Sequence, residues 1–303
     1  MTQSYMRAWR AYGLTVRALR SLALPVWRLP LGRHDLGKWL DGIARRFLPG
    51  VEREVVVELQ FGARLVIPAG YQGAHHYLGG LYEPAVTRLL LERLRPGMTF
   101  VDAGAHLGYY TLLAAKAVGR EGKVYAFEPD PLYYHLVRRS LALSGLDQAQ
   151  VCQLAVAEGC GIASFFPDPE EGLGNLFAPV HLGLQLTVHT VSLDTFFDAL
   201  GWPPVDVVKL DVQGAETAAL RGMRGLAERN PSLCLLIEFD PLCQRDAGVS
   251  PERFFAALVE LGFCHIYAVE EGMRPVDPAR PGWFVRAARR ERFRNLFCQR
   301  EGR

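Results

Sequence analysis

Between residues 99 and 287 the sequence alternates short apolar runs with amphipathic segments. The apolar runs have the length of buried strands, and the segments between them, such as Tyr109 to Val118, carry apolar residues at helical spacing. Strands that alternate with helices of this length form βαβ units, and each unit places its two strands parallel in one sheet. The pattern therefore predicts an α/β fold around a mostly parallel sheet of about seven strands.

The periodicity also predicts the bounds of these elements. Strands are expected at Thr99 to Ala105, Lys123 to Phe127, Val151 to Val156, Val205 to Leu210, Leu233 to Phe239, Phe263 to Val269 and Trp283 to Ala287. Helices are expected at Tyr109 to Val118, Pro131 to Leu143, Ser192 to Leu200, Ala215 to Gly222 and Pro251 to Leu261. A loop without a helix precedes the last strand, so we expect that strand to be antiparallel. The section from Gly159 to Thr190 is rich in Gly, Pro and Phe and is predicted to be irregular.

Two further segments precede this region. Residues 54–67 alternate apolar and polar residues on both sides of a Phe61-Gly62 turn, which is typical of a β-hairpin. Tyr82 to Arg95 has helical periodicity. We therefore divide the chain into a basic helical segment at 1–50, a hairpin and helix at 51–98, the α/β domain at 99–290 and a basic tail at 291–303.

The formal net charge of +2 is distributed unevenly. Residues 1–50 carry +7 and residues 286–303 carry +5, which leaves −10 on the middle of the chain. An acidic body offers no broad surface to nucleic acid, so we expect no nucleic-acid partner, whereas the basic first segment suits peripheral contact with an anionic membrane. A helical cap on the sheet, a dimer contact and a transit peptide are the other interpretations of that segment.

The first segment contains no apolar stretch that approaches the ~20 residues needed to span a bilayer. The six cysteines lie far apart without a Cys-x-x-Cys pair, which favours a reducing compartment and predicts neither a zinc site nor a disulfide framework. We therefore expect a cytoplasmic protein.

The turn after the strand at residue 99 is the most informative segment. Asp102, Gly104 and Gly108 form a D-x-G-x-x-x-G pattern between a strand and a helix. Ligands of open α/β sheets bind at the carboxyl ends of strands, beside helix N-termini. Gly104 is expected to let the backbone approach a ligand, and Gly108 to let the helix pack closely on the strand. A purely structural turn with a capping acid is the alternative interpretation.

A second acid, Glu128, ends the next strand just before Pro129. An acid at this place accepts hydrogen bonds from the ribose hydroxyls of a nucleotide. An NAD site avoids an acid in its first turn because the pyrophosphate is anionic, whereas Asp102 can engage the cationic methionyl end of S-adenosylmethionine. The two acids therefore favour S-adenosylmethionine and methyl transfer. An NAD-dependent oxidoreductase and a non-catalytic binding protein remain the alternatives.

The strand that ends near residue 211 carries the candidate catalytic groups. Period two places Lys209 and Asp211 on the same side of this strand, and Asp211 is the first candidate for the general base. Lys209 needs an anionic partner in an apolar strand, so we expect a structural ion pair. Glu216 lies in the first turn of the next helix, where a site role and a helix-dipole role are both expected. Asp211 and Glu238 end neighbouring strands and are candidate Mg²⁺ ligands.

Four blocks of the sequence together resemble the FkbM methyltransferases, with Tyr82-Glu83-Pro84 upstream of them. They are FVDAGAHLGYYT at 100–111, VYAFEPDP at 124–131, VSLDTF at 191–196 and VVKLDVQGAETAALRG at 207–222. The resemblance implies a class I methyltransferase (Rossmann-like) fold with S-adenosylmethionine as the methyl donor. It also implies O-methylation of a sugar, a polyketide or a related metabolite.

The motifs and the resemblance together give a predicted site. The predicted cofactor-binding residues are Glu83, Asp102, Gly104, Ala105, His106, Gly108, Glu128, Pro129 and Asp211. The predicted catalytic residues are Asp211, Glu216 and His106, with His75 and His76 as further candidates for the base. The acceptor is expected to be a hydroxyl of a glycan or small molecule, in a pocket to which Phe165, Phe166 and Phe177 contribute. The family commonly has Glu in place of Gln213 and Asn in place of Ser140 and Ser144.

Overall fold

The computed structural model describes residues 54–68, 71, 73–77, 80–167, 174–177 and 185–301. The predicted helical segment at residues 1–50 and the side chain of His75 lie outside the described residues. Of the helices within these ranges, none combines the length and the apolar character that crossing a bilayer demands.

Short elements alternate along the described chain. The strands are β1 (Val55–Glu58), β2 (Arg64–Ile67), β3 (Thr99–Ala103), β4 (Lys123–Phe127), β5 (Ala149–Cys152), β6 (Ala155–Val156), β7 (Gly161–Phe165), β8 (Leu186–Val191), β9 (Val207–Leu210), β10 (Cys234–Phe239), β11 (Phe263–Ala268), β12 (Arg274–Pro275) and β13 (Arg294–Arg300). The helices are α1 (Ala74–Tyr77), α2 (Pro84–Arg93), α3 (Tyr109–Val118), α4 (Pro131–Ser144), α5 (Leu193–Ala199), α6 (Glu216–Arg221), α7 (Arg224–Arg229), α8 (Pro241–Asp246), α9 (Pro251–Glu260) and α10 (Gly282–Glu291).

Eight strands form the main sheet in the order β12-β11-β13-β10-β9-β3-β4-β5. Strands β10, β9, β3, β4 and β5 pair in parallel, and β13 is antiparallel to both of its neighbours. The predicted α/β fold with a mostly parallel sheet and an antiparallel last strand is confirmed. The eighth strand is the two-residue β12, which pairs with β11.

Apolar side chains cover both faces of this sheet. All five residues of β3 are buried, and successive side chains enter opposite cores: Phe100 packs into one cluster and Val101 into the other. This alternation is what period two requires of a strand that is covered on both sides. The helices between the parallel strands supply the covering layers.

The single strand predicted at Val151 to Val156 is wrong. The chain forms β5, bends where the Leu154 N–H donates to the Cys152 carbonyl at 2.9 Å, and continues as β6 in a separate three-stranded sheet. The section from Gly159 to Thr190 is also less irregular than predicted, because β7 and β8 pair antiparallel at its two ends. Most residues of β7 are at least partly exposed, so this strand lacks the apolar run that would have indicated it.

The last strand was predicted at the wrong place. Residues 283–287 belong to α10, in which the buried Phe284 and Ala288 lie four positions apart, as on one face of a helix. The last strand is β13, which occupies residues that the sequence pattern predicts to be part of a basic tail beginning at 291. Its buried centre around Phe297 is short and lies between arginines, so the charge pattern does not indicate a strand.

Two serines fasten the β1–β2 hairpin to α4. Ser140 Oγ accepts a hydrogen bond from the Val66 N–H at 2.9 Å and donates one to the Leu136 carbonyl at 2.8 Å. Ser144 Oγ accepts from the Arg64 N–H at 2.9 Å. The two positions where the resemblance suggests asparagine thus supply hydrogen-bond acceptors to the backbone of β2.

Replacing Ser140 with alanine is expected to lower the free energy of unfolding by about 1–3 kcal/mol, because the buried Val66 N–H loses its acceptor. Ser144→Ala is the matched control: its bond to Arg64 is exposed, water can replace it, and the loss should stay within about 0.5 kcal/mol. Urea unfolding followed by circular dichroism measures both values. Equal losses in the two variants would contradict this account.

Candidate active site

The predicted site residues lie at the carboxyl ends of neighbouring parallel strands. Asp102, Glu128, Asp211 and Glu238 come from the ends of β3, β4, β9 and β10 respectively. Because these strands pair in parallel, their carboxyl ends meet at one edge of the sheet. The fold therefore brings the four acids to the place where open α/β sheets bind ligands.

Asp102 is buried near the end of β3, with 1% of its surface exposed. Its Oδ2 accepts a hydrogen bond from Thr111 Oγ1 at 2.6 Å, whereas its buried Oδ1 has no hydrogen-bond partner among the described residues. Burial raises the pKa of Asp102, and the Lys209 ammonium and the Thr111 hydroxyl partly oppose this rise. A buried carboxylate oxygen without a partner is costly, so this atom is suited to receive a donor or a cation from a ligand.

The two glycines of the turn are needed for contacts that differ from those predicted. Gly104 has φ of +83°, and a Cβ built on it would lie 1.8 Å from the Asp211 carbonyl oxygen, so it is approached by protein backbone. Gly108 has φ of +85°, and a Cβ there would lie 3.0 Å from Val137 Cγ2 on α4, a helix rather than a strand. The Asp211 N–H also donates to the Ala103 carbonyl at 3.0 Å. The backbone of the turn after β3 is therefore in direct contact with the backbone of the turn after β9.

Glu128 connects the end of β4 to the first turn. Its carboxylate accepts hydrogen bonds from the His106 N–H at 2.7 Å and from the Asp130 N–H at 2.9 Å. Burial raises the pKa of Glu128 to about 8, although these two hydrogen bonds act to lower it. Each carboxyl oxygen accepts one of these two hydrogen bonds, so Glu128 retains capacity for further hydrogen bonds, such as those with ribose hydroxyls.

His106 lies in the same turn with φ of +51°. Its ring centroid is 4.4 Å from that of Tyr133 and 5.6 Å from that of Tyr71. Its Nε2 is buried and has no hydrogen-bond partner in the described part of the chain. Burial lowers the pKa of His106 to about 4, so the imidazole is neutral at neutral pH.

Asp211, the first candidate for the general base, is held from two sides. Lys209 Nζ lies 2.8 Å from Oδ2, and Gln213 Nε2 lies 2.9 Å from Oδ1. The predicted ion pair of Lys209 is confirmed. Burial acts to lower the pKa of Lys209, but Asp211 and Asp102 outweigh it and the pKa lies above its ordinary value. The Asp211 side chain keeps 25% of its surface exposed, so the carboxylate is both oriented and accessible.

Gln213 also connects the ends of β9 and β10, because its Nε2 lies 3.1 Å from Glu238 Oε1. Burial raises the pKa of Glu238 well above its usual range, and the negative charges of Asp211 and Glu83 add to this rise. An N–H donor therefore occupies the space between the two carboxylates that we considered as Mg²⁺ ligands. Within the described ranges, neither acid belongs to a group of three metal-binding side chains, so magnesium has no structural support.

Glu216 is buried at the start of α6. Its carboxylate accepts hydrogen bonds from the Val212 N–H at 3.0 Å, from the Gly214 N–H at 2.9 Å and from the Gln244 amide. Burial raises the pKa of Glu216 to about 8. These contacts hold the turn that carries Gln213, which is a positioning role. The catalytic role of Glu216 stays a prediction.

Glu83 is connected to the other site residues by the side chain of Tyr110. It precedes α2 with φ of +38°, and its carboxylate accepts a hydrogen bond from the Tyr110 hydroxyl. Burial raises the pKa of Glu83 to about 7, and Tyr110 and Lys209 partly oppose this rise. The Tyr110 ring centroid lies 4.9 Å from Lys209 Nζ. Glu83 is thus linked to Asp211 through Tyr110 and Lys209.

Three residues with contacts in the site were not predicted. Tyr110 and Thr111 lie in the first turn of α3, directly after the glycine pattern, and this position was the available signal. Gln244 in α8 supports Glu216, and nothing in the sequence pattern indicates it. Of the predicted neighbours, Ala105 donates its N–H to the Phe127 carbonyl at 3.0 Å, and Pro129 is partly buried. His76 is exposed beside the ring of Tyr82.

Comparison with known proteins gives concordant results. A family model described as the methyltransferase FkbM domain matches residues 102–263. The hexuronic acid methyltransferase AglP of Haloferax volcanii is 29% identical over 142 residues, which cover 46% of this chain and 56% of that protein. The methyltransferase sdnD of Sordaria araneosa is 30% identical over 156 residues, which cover 41% of this chain and 59% of that protein. The chain thus spans little more than half the length of these curated relatives.

Solved structures are similar at lower sequence identity. A SAM-dependent O-methyltransferase of Thermotoga maritima has a TM-score of 0.42 and 17% identity, with coverage of 82% of this chain and 78% of that chain. The methyltransferase FkbM of Methylobacillus flagellatus has a TM-score of 0.37 and 15% identity, with coverage of 70% and 50% respectively.

Replacing Gly104 with alanine is expected to lower the free energy of unfolding by more than about 3 kcal/mol, because the new Cβ would collide with the Asp211 carbonyl. Gly97→Ala is the control: φ is +87° and a Cβ there meets nothing within 4 Å, so it carries only the backbone cost of about 1–2 kcal/mol. Urea unfolding measures both variants. Equal costs would show that the two turns are not in contact.

His106→Asn is expected to remove a pH dependence of stability, because asparagine tolerates positive φ and does not titrate. The folded pKa of about 4 lies below the unfolded value of 6.5, so between these pH values only the unfolded chain gains a proton. The original protein should therefore lose stability relative to the variant as pH falls, by about 2 kcal/mol at pH 5. Urea unfolding at pH 7.5 and pH 5 measures the difference, and a difference that is equal at both would refute the assignment.

Proposed function

Because the chain belongs to the FkbM methyltransferase family, we propose that it transfers a methyl group from S-adenosylmethionine to a hydroxyl group of a sugar, a glycan or a small metabolite. The observation that carries the proposal is the Asp211 carboxylate. It is partly exposed and is held by Lys209 and Gln213. The backbone carbonyl of the same residue lies against Gly104, in the turn that would hold the cofactor.

The residues of the first turn fit S-adenosylmethionine. Asp102 Oδ1 and His106 Nε2 are buried polar atoms that have no hydrogen-bond partner among the described residues, and Glu128 retains acceptor capacity. We assign Asp102 to the cationic methionyl end and Glu128 to the ribose hydroxyls. The backbone from Gly104 to Gly108, together with Pro129 and Glu83, completes the proposed cofactor site. When bound, S-adenosylmethionine supplies an electrophilic methyl group on a positively charged sulfur.

Methyl transfer is an in-line displacement, so the protein contributes alignment and, for a weakly acidic hydroxyl, a base. Asp211 would accept the proton of the attacking hydroxyl. Lys209 and Gln213 hold the two carboxylate oxygens, which limits the orientations that Asp211 can adopt. The neutral imidazole of His106 can orient a polar group nearby but carries no positive charge at neutral pH.

A sugar acceptor is supported by the relative named hexuronic acid methyltransferase. A sugar hydroxyl needs a base more than a phenol does, and the site offers one in Asp211. Of the aromatic residues expected in the acceptor pocket, Phe165 is buried in the core of the small sheet with Val188, whereas Phe177 is 40% exposed. Phe177 is therefore the better candidate for contact with an acceptor.

Asp211→Asn is expected to reduce the rate of S-adenosylhomocysteine formation by about 10²–10⁴-fold, because the base is removed while the side-chain shape is kept. Binding of S-adenosylhomocysteine in calorimetry should weaken by less than about tenfold, since Asp102 and Glu128 remain. Asp246→Asn is the control, because Asp246 lies on the surface of α8 and pairs with Arg245. The assay uses neutral hexoses, uronic acids and phenolic metabolites as acceptors.

The same measurements separate the alternatives. If the chain binds S-adenosylhomocysteine but methylates no acceptor in the panel, the result would support the alternative of a non-catalytic binding protein. Binding of NAD without binding of S-adenosylhomocysteine would support an oxidoreductase. Undiminished turnover in Asp211→Asn would place the base on another residue.

A further inference from the structure

Three side chains of metal-binding type meet at the edge of the sheet formed by the amino ends of its parallel strands. They are Cys264, His265 and Glu301, and their ligand atoms all lie within 4.8 Å of one another. All three residues are exposed. Strand β11 runs parallel to β10, because both are antiparallel to β13, and Cys264 lies at the start of β11. The cluster therefore lies at the opposite end of the strands from Asp211.

A β-bulge brings the first two of these side chains to the same side. Phe263 pairs with Arg300 and His265 pairs with Gln299, so Cys264 is an extra residue in β11. Neighbours in a regular strand point to opposite faces, but a bulge re-aims one of them. Cys264 and His265 are accordingly both exposed, while the residues on either side of the pair are buried.

Glu301 completes the cluster at the end of β13. It follows Arg300, whose guanidinium donates to the Ala227 carbonyl and lies near Gly262. The guanidinium of Arg300, the cation next to Glu301 in the sequence, is thus bonded to a backbone carbonyl. Among the described residues, Cys264, His265 and Glu301 make no side-chain hydrogen bond and no ion pair that would explain their proximity as structural.

The donor set selects one class of ion. A thiolate and an imidazole favour Zn²⁺ and similar transition metals, whereas Mg²⁺ and Ca²⁺ require oxygen ligands. Metal–ligand bonds of about 2.0–2.3 Å place tetrahedral neighbours roughly 3.5 Å apart, so small side-chain rotations would bring the three ligands into position. Three protein ligands leave the fourth position of a tetrahedral ion to water.

We propose that Cys264, His265 and Glu301 bind one Zn²⁺ ion, at a site separate from the methyl-transfer site. The absence of a Cys-x-x-Cys pair predicted that the chain has no zinc site, and this proposal departs from that prediction. Cys264 and His265 are adjacent in the sequence, whereas Glu301 follows β13 and lies more than 30 residues further along the chain. Bound metal links the start of β11 to the end of β13 and should raise the melting temperature of the chain.

The test titrates the metal-free full chain with Zn²⁺, and with Co²⁺ as a spectroscopic probe. We expect one ion per chain and a thiolate-to-cobalt charge-transfer band. Cys264→Ser should abolish the band and weaken Zn²⁺ binding by about 100-fold or more, and His265→Asn should weaken it by more than about tenfold. Cys160→Ser and His189→Asn are matched controls, since both residues are exposed and lie elsewhere, and they should bind as the original protein does.

Folding is checked by circular dichroism and thermal unfolding of the metal-free chain, which should be the same in all four variants because the four side chains are exposed. A charge-transfer band that persists in Cys264→Ser, or that disappears equally in Cys160→Ser, would overturn the proposal. Failure of the original chain to bind Zn²⁺ more tightly than the Cys264→Ser variant would also overturn it. None of these outcomes depends on whether the chain transfers methyl groups.

Discussion

The site depends on the buried ammonium group of Lys209. Lys209 is 2% exposed and faces Asp211 at 2.8 Å, and it lies opposite Asp102 in the register of β3 and β9. A buried lysine is tolerable only if anions compensate its charge, and buried carboxylates are tolerable only if a cation or donors compensate theirs. The acids on the neighbouring strands therefore require Lys209 as much as it requires them. The Tyr110 ring, 4.9 Å from Nζ, adds a favourable contact without another charge.

This charge arrangement needs a backbone that brings the strand ends very close together. The turn after β3 can touch the turn after β9 only because Gly104 has no side chain, and the Asp211 N–H continues the β3–β9 pairing beyond the strands. Glu128 and Glu216 then use their carboxylates to hold backbone N–H groups of the adjoining turns. Burial raises the pKa of both to about 8, and they hold these turns in place around the accessible Asp211. The rigidity of the proposed reaction site thus comes from carboxylates that need not react.

The sequence was sufficient for those features that short-range patterns encode. Strand β4 and helix α3 have their predicted bounds, and the parallel order places Asp102, Glu128 and Asp211 at one edge. It was insufficient where the governing contacts are long-range. Nothing local shows that Gln244 would support Glu216 from 28 residues away, or that Gly104 is needed for protein rather than ligand. Strand β13 was not predicted, because arginines flank its short buried run. The local charge pattern does not show that neighbouring strands and helices will bury the residues between those arginines.

Gln213 shows how a departure from a family pattern depends on its surroundings. From the sequence alone, glutamine in place of the common glutamate is the loss of a charge beside the site. In the structure its amide nitrogen donates to Asp211 at 2.9 Å and to Glu238 at 3.1 Å, and its side-chain oxygen accepts a long contact from Cys243 Sγ at 3.7 Å. A carboxylate at this position would face two others across the same distances, and Lys209 would be the nearest compensating cation. The amide instead satisfies both acids without adding charge, so Asp211 keeps its orientation and its exposed face. The substitution therefore preserves the group on which the proposed chemistry depends.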